Sequence, residues 1–404
     1  MERQLKQIEF DKMRHAYVTV KHFLEDESYE KVKSLKSSIT EDLSLNGDDN
    51  YELLEKFVEK FELDHEGFEY DKHFYSEGEL FGSGAALVNL LTLSVWLPLK
   101  TIELLTFKKI KVNKPDFYKP EREVTDMTFK DLLTWYIEGK YALEKDIKFE
   151  IKGLSSGSVS LNRYPDADCQ SLKNKLHSKY KLDNKYDLII GNGSDELIQL
   201  ICLAFLKKEN VVLCPAPSFS MYKKISQVLD LQFEEVSLQE DFSLDLELML
   251  KKIEEFDPAI IFLAFPNNPT GNLWDKNDID LIIKKANGVV VIDEAYGSFS
   301  GESFIGKMDN YENLLIMKTV SKIGLAGIRV GYLIGEDYII KNNNKLRLPF
   351  NINTLSQKIS EFSVENSNYL ENQTNDIIRL RELLISKMEG IDKIKVYKSK
   401  TNFI

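Results

Sequence analysis

Two textures of apolar and polar positions divide the chain. From residue 1 to about 147, apolar side chains recur three and four apart with charges opposite, as in SYEKVKSLKSSITEDL (28–43) and NYELLEKFVEKFEL (50–63). The spacing predicts a mostly helical N-terminal region. Further on the pattern shortens into apolar runs, YDLIIG (186–191), NVVLCP (210–215), AIIFLAF (259–265), GVVVIDEAY (288–296) and NLLIMKT (313–319), which read as buried strands. DELIQLICLAFLKK (195–208) and MYKKISQVLDL (221–231) between them carry helical spacing. Alternating strand and helix predict an α/β fold, a mainly parallel sheet with helices on both faces and a ligand site at the carboxyl ends of the strands. The stretch KGLSSGSVS (152–160) predicts a linker or loop. Three segments follow: 1–147, helical; 148–335, the α/β ligand-binding domain with its entry segment; and 336–404, part of a small α+β domain.

One segment breaks the amphipathic pattern. LFGSGAALVNLLTLSVWLPL (80–99) carries no charge, and about 20 apolar residues are enough to span a bilayer. Gly82, Ser83, Gly84, Asn89, Thr92, Ser94 and Pro98 dilute it, so a buried helix or helix pair is expected, with membrane association the competing reading. Its GSGAAL lacks a preceding strand pattern and is not read as a phosphate loop. The opening MERQLKQIEF is charged early and does not read as a secretory signal.

Charge and composition narrow the partners. A formal charge of −12 provides no global field for nucleic acid. Three cysteines without CxxC spacing and five scattered histidines fit a reducing, cytoplasmic setting and argue against a disulfide framework or a metal site.

The candidate chemistry gathers at strand ends. GNGSDELIQL puts Gly193, Ser194 and Asp195 at a strand-to-helix turn, where free N–H groups and the helix dipole face an anion. The same residues also serve as an ordinary helix cap. In FPNNPTGN and IDEAY, an asparagine and a tyrosine can hydrogen-bond a phenolate oxygen, and a carboxylate such as Asp293 can pair with a ring nitrogen and keep it protonated. Taken alone these are an Asn-Pro turn and an acidic strand end. TVSKIGLAGIRVGY adds the hydroxyls of Thr319 and Ser321, the amine of Lys322 and the fixed cation of Arg329. A lone lysine is usually solvated surface, whereas this one follows a buried strand and precedes a glycine-rich turn, a setting for an activated amine.

Residues 161–404 resemble histidinol-phosphate aminotransferase and its relatives in the class I/II aminotransferase family, including threonine-phosphate decarboxylase. The resemblance rests on LNRYPDADC, GNGSDELI, CPAPSFSMY, PNNPTGN, VIDEAYGSF, TVSKIGLAGIRVGY and LRLPFNINTLSQ. It implies fold type I of the pyridoxal phosphate enzymes, with pyridoxal 5'-phosphate held as a Schiff base on Lys322. Asp293 would bind the pyridine nitrogen, and Asn268 and Tyr296 the 3'-oxygen. Gly193, Ser194, Asp195, Thr319, Ser321 and Arg329 would contact the phosphate, and Phe219 would stack on the ring. Tyr164 would reach the cofactor phosphate of a neighbouring subunit, which requires a homodimer. Lys322, Asp293 and Tyr296 form the catalytic set.

The implied reaction moves an amino group between a phosphorylated amino alcohol, such as histidinol phosphate, and glutamate/2-oxoglutarate. Decarboxylation of a phosphorylated amino acid is the alternative within the same chemistry. Two departures from the family pattern motivate a third reading. KFEIKGLSSGSVS stands where an Asn-Glu-Asn-Pro arm is expected, and the chain reaches KTNFI without the arginine that grips the substrate's anionic group; Arg347 belongs to the separate LRLPFN run. On that reading the cofactor domain is idle and function lies in the helical region.

Overall fold

A computed structural model describes residues 3–76, 79, 122–152, 161–207 and 209–404. The 80–99 segment and residues 153–160 of the glycine- and serine-rich stretch lie outside the described residues. The chain divides into two compact units, Met1–Ser156 and Gly157–Ile404.

In the first unit, strand β1 (Gln4–Ile8) is followed by helices α1 (Phe10–Ser28), α2 (Asp48–Lys60) and α3 (Phe129–Glu138), then strand β2 (Ile147–Ile151). β1 and β2 pair in parallel from Gln4↔Ile147 to Ile8↔Ile151, so residues 148–151 belong to this unit's sheet. Phe23, Leu24, Phe57, Phe129 and Trp135 are almost fully buried and form its core with Val20 and Leu132. α3 begins at a capping box in which the Thr128 side chain accepts from the Asp131 N–H and Asp131 accepts from the Thr128 N–H. It stops at Gly139, whose φ of +71° provides the left-handed turn.

The stretch 28–43 is not the helix its spacing predicts. α1 ends at Ser28, Tyr29 turns left-handed, and 29–43 runs as turns. Its hydroxyls take the backbone for themselves: Ser37 Oγ accepts from the N–H groups of Lys33 and Ser34, and Asp42 accepts from the Ser38 N–H. The Ile39 N–H donates to Met127 O and the Phe129 N–H to Ser37 O. Local side-chain bonds of this kind outcompete a helix. Val32, Ile39 and Leu43 still reach the core, which explains the apolar spacing.

The second unit is a seven-stranded sheet between helices. After α4 (Gln170–Tyr180) come β3 (Tyr186–Gly191), α5 (Gly193–Ala204), β4 (Val211–Ala216), α6 (Met221–Val228), β5 (Gln232–Ser237), α7 (Leu246–Phe256), β6 (Ile260–Ala264), α8 (Lys276–Lys285), β7 (Val289–Asp293), β8 (Leu314–Thr319) and β9 (Gly331–Glu336). Helices α9 (Asp337–Asn344), α10 (Thr354–Glu365) and α11 (Ser367–Glu389) follow. The strand order is β3-β9-β8-β7-β6-β4-β5, with β9 antiparallel to both neighbours and the other pairings parallel.

The strand runs have no polar face because both sides of the sheet are covered. Ile261, Leu263, Val290, Ile292, Leu314 and Ile316 point to one side, where α7 adds Ile253 and α8 adds Ile282. Phe262, Val289, Val291, Leu315 and Met317 point to the other, against Leu197, Ile201 and Tyr222. Alternation with a period of two produces these two layers. The parallel strands therefore open their carboxyl ends to the same edge, where the chemistry-bearing loops lie.

Candidate active site

Five strand ends supply the cleft. Ser194 opens α5 after β3, Phe219 follows β4, Asn268 follows β6, Asp293 ends β7 with Tyr296 just beyond, and Lys322 lies past the end of β8. These six residues line one cleft together with Ala264, Pro266 and Ala295. The crossover order of the sheet brings them together from positions more than a hundred residues apart.

At the floor, Asp293 is buried and fixed on both oxygens. Tyr222 Oη donates to Oδ2 at 2.6 Å, and the Ala295 N–H donates to Oδ1 at 2.9 Å. Tyr222 is itself locked, stacked on Phe262 with ring centroids 4.6 Å apart and planes 2° from parallel. Burial pushes the Asp293 carboxyl up to about 6, against the two hydrogen bonds and the Lys322 charge, which all lower it. Such a carboxylate is held ready for a cationic partner.

Around the floor, two side chains keep their polar atoms free. The two asparagines of PNNP divide the work. Asn267 is fully buried and spent on its own loop, donating to Pro217 O at 3.0 Å and Thr270 Oγ1 at 2.7 Å while accepting from Ser218 Oγ at 2.8 Å. Asn268 lines the cleft and makes no side-chain hydrogen bond among the described residues. Lys322 likewise has no ion pair among them; its Nζ lies 5.1 Å from the centroid of the Tyr296 ring.

Beside Ser194, the start of α5 packs closely on a cationic side chain. Gly193 adopts φ +80° at the first turn of α5, and Arg329 lies against it: a Cβ on Gly193 would fall 2.5 Å from Arg329 Nη2. Gly331 packs on the same turn, where a Cβ would meet Gly193 C at 2.9 Å and Ser194 N at 3.0 Å. Arg329 holds a left-handed φ of +53°, an uncommon conformation for a residue with a Cβ, and its guanidinium lies against the helix start. Asp195 lies at this turn as well, accepting from Arg329 Nη2 at 3.1 Å, which fixes the cation in place. Thr319 and Ser321 bond to each other at 2.9 Å, and Thr319 Oγ1 also donates to Val330 O at 3.0 Å, tying the β8 end to β9.

Tyr164 stands apart from the cleft. It is 82% exposed and stacks on Phe350 at 4.7 Å. Arg347 is engaged by Asp168 Oδ1 at 3.1 Å and Asn351 Oδ1 at 2.9 Å. Two supports escaped the sequence reading. Tyr222 sits at the end of PSFSMY, and its position in that run was the available signal. The other is a buried ion pair next to Asp293, in which Lys318 Nζ donates to Glu294 Oε2 at 2.5 Å. Burial lowers the Lys318 ammonium, and the Glu294 charge overrides this and leaves it raised.

Comparison with known proteins agrees with this geometry. A family profile described as "Aminotransferase class I and II" matches residues 138–404. The chain belongs to that family. This aminotransferase is 46% identical over 246 residues to histidinol-phosphate aminotransferase 2 of Nitrosococcus oceani, covering 61% of the present chain and 68% of that one. To the histidinol-phosphate aminotransferase of Thermoanaerobacter pseudethanolicus it is 43% identical over 248 residues, 61% of this chain and 70% of the other. The solved histidinol-phosphate aminotransferase of Clostridium acetobutylicum superposes with a TM-score of 0.54 at 25% identity, over 60% of this chain and 73% of that one. The Sinorhizobium meliloti histidinol-phosphate aminotransferase, solved with pyridoxal-5'-phosphate, shares the fold at TM-score 0.56 and 21% identity, over 60% and 66% of the two chains. Residues 3–82 match a separate family described only as a protein of unknown function (DUF1493).

The cofactor of this aminotransferase is pyridoxal phosphate, and the donor set fits it. A helix start with Arg329 suits a phosphate, a buried carboxylate near 6 suits a ring nitrogen, and an amine without an ion pair faces the same cleft as Asn268 and Tyr296. Among the described residues no helix is long and apolar enough to cross a membrane, and no group of three or more His, Cys, Asp or Glu side chains is placed to hold a metal ion.

Proposed function

We propose that this aminotransferase acts on a phosphorylated amino alcohol, with histidinol phosphate the leading substrate and 2-oxoglutarate/glutamate the exchange partner. The observation that carries the reading is the cleft itself, in which Lys322, Asp293, Asn268 and Tyr296 converge beside the Gly193–Arg329 anion seat. The 46% and 43% identities to proteins named histidinol-phosphate aminotransferase support the substrate class.

When bound, pyridoxal phosphate supplies an electron sink for the substrate α-carbon. The protein's residues do the rest. Lys322 would hold the cofactor covalently and, once displaced by substrate, its Nζ would carry the proton from the substrate α-carbon to the cofactor carbon that accepts it. Asp293 would pair with the protonated ring nitrogen, its carboxylate held in place by Tyr222 and the Ala295 N–H. Asn268 and Tyr296 would hydrogen-bond the 3'-oxygen, and Phe219 would cover the ring. Ser194, the Gly193 turn and Arg329 would hold the phosphate, with Asp195, Thr319 and Ser321 securing the loops that present them. The exposed Tyr164 would reach a neighbouring copy, which makes the working form a homodimer, in the cytoplasm, with the large domain running from Gly157 to about 335 and part of a small domain at 336–404.

Rapid mixing tests the substrate. Loaded protein and histidinol phosphate should lose the visible band of the attached cofactor and yield imidazole acetol phosphate, and 2-oxoglutarate should restore the band. Carbon dioxide release from threonine phosphate without amino transfer would redirect the reading to decarboxylation. No spectral response to any of these amines would mark an idle domain.

A further inference from the structure

We infer that the segment 399–403 is a brace for the cleft wall formed by Asn268 and Tyr296, and that Phe403 is a positioning residue for Tyr296. The inference rests on the function proposed above and concerns residues to which the cofactor chemistry assigns no part.

Three contacts converge on this short segment. First, the Lys400 N–H donates to Gly271 O at 2.6 Å, and Gly271 accommodates Ser399 so closely that a Cβ there would lie 2.8 Å from Ser399 Oγ. Gly271 belongs to the PNNPTGN loop, and its own N–H donates to Asn267 O at 2.8 Å, one residue before Asn268. Second, Arg381 of α11 is 5% exposed and its Nη1 donates to Thr401 O at 2.8 Å, also reaching Phe299 O at 3.4 Å. The Phe299 N–H in turn donates to Tyr296 O at 3.0 Å, so one buried guanidinium clamps the brace to the turn that carries Tyr296. Third, the Phe403 ring meets the Tyr296 ring edge-on, with centroids 5.3 Å apart and planes at 88°.

The segment is stiff enough to serve. Ser399 and Thr401 are buried, their hydroxyls lie 2.8 Å apart, and Thr401 Oγ1 accepts from the Phe403 N–H at 3.2 Å while donating to Phe403 O at 3.1 Å. Phe403 thus leaves a rigid turn with little freedom in where its ring falls. Tyr296 is then bounded by Phe403 and by the Lys322 amine 5.1 Å from its centroid. An aromatic ring without such a neighbour swings about its side-chain torsions. A displacement of about 1 Å at a group that must meet one oxygen costs on the order of a hundredfold in rate.

Phe403→Ala tests the brace, with Phe403→Tyr as the conservative variant. Hydrogen exchange on the cofactor-free full chain reads bracing without any chemistry. Peptides carrying Asn268 and Tyr296 should exchange about fivefold faster in Phe403→Ala, the β3 peptide should be unchanged, and Phe403→Tyr should match wild type. In the loaded protein, Phe403→Ala should lower kcat about tenfold and shift the pH titration of the visible band in the same direction as Tyr296→Phe. Adding Phe403→Ala to Tyr296→Phe should then produce little further change. Unchanged exchange at both peptides overturns the brace, and additive effects of the two substitutions overturn the action through Tyr296. A wild-type chain that never takes up the cofactor would refute the proposed function, while the exchange result would still decide the brace.

Discussion

At the residue scale, Asp293 turns burial into a measurable pH dependence. Its carboxyl is raised from 3.8 to about 6, so between those values the folded chain keeps a proton that the unfolded chain releases. The folded state binds more protons in that window, and stability therefore falls as pH rises through it and levels off above. A shift of about two units corresponds to about 3 kcal/mol. Cofactor-free wild type should lose about that much between pH 3 and 7 relative to Asp293→Asn, measured by urea unfolding; parallel profiles would show that Asp293 is not buried as described. Asp293 and Lys322 were legible in the sequence because IDEAY and TVSKIG place a carboxylate and an amine at the ends of apolar runs. Tyr222 was not, since its bond to Asp293 spans 71 residues and depends on the β4–β6–β7 neighbourhood. The choice of Asn268 over Asn267 followed the family pattern, and the hydrogen bonds of Asn267 now give it a physical reason.

At the element scale, the anion seat depends on two backbones touching. Gly331, at the start of β9, lies so close to the α5 turn that any side chain would press on Gly193 C and Ser194 N. Gly331→Ala should destabilise the chain by about 2 kcal/mol through overpacking and weaken cofactor retention, read by thermal melting and dialysis. Unchanged retention would mean that the seat tolerates a shifted helix start. The five buried strands were readable because sheets covered on both faces leave unbroken apolar runs. β5 (QFEEVS) is an edge strand bearing charge on a half-covered face, and β9 (GYLIGE) starts within the TVSKIGLAGIRVGY run, whose glycines and polar residues mask its strand pattern. The stretch 28–43 misled for the opposite reason: helical spacing was present, yet serine and aspartate side chains claimed the backbone.

At the scale of the whole molecule, two cores are built from separate residues, one around Phe57, Phe129 and Trp135 and one on the two faces of the seven-stranded sheet. Separate cores predict two calorimetric transitions. Pyridoxal phosphate should raise only the transition of the unit that contains Lys322, by mass action on its folded state. A single transition, or equal shifts of both, would show that the units melt as one.

Borohydride reduction of the loaded chain followed by peptide mapping tests most directly whether Lys322 carries the cofactor. Attachment there leaves one cofactor-derived mass on the peptide containing Lys322 and none in Lys322→Ala. Attachment to the neighbouring Lys318 in the wild-type chain, or a visible band that survives in Lys322→Ala, would contradict it.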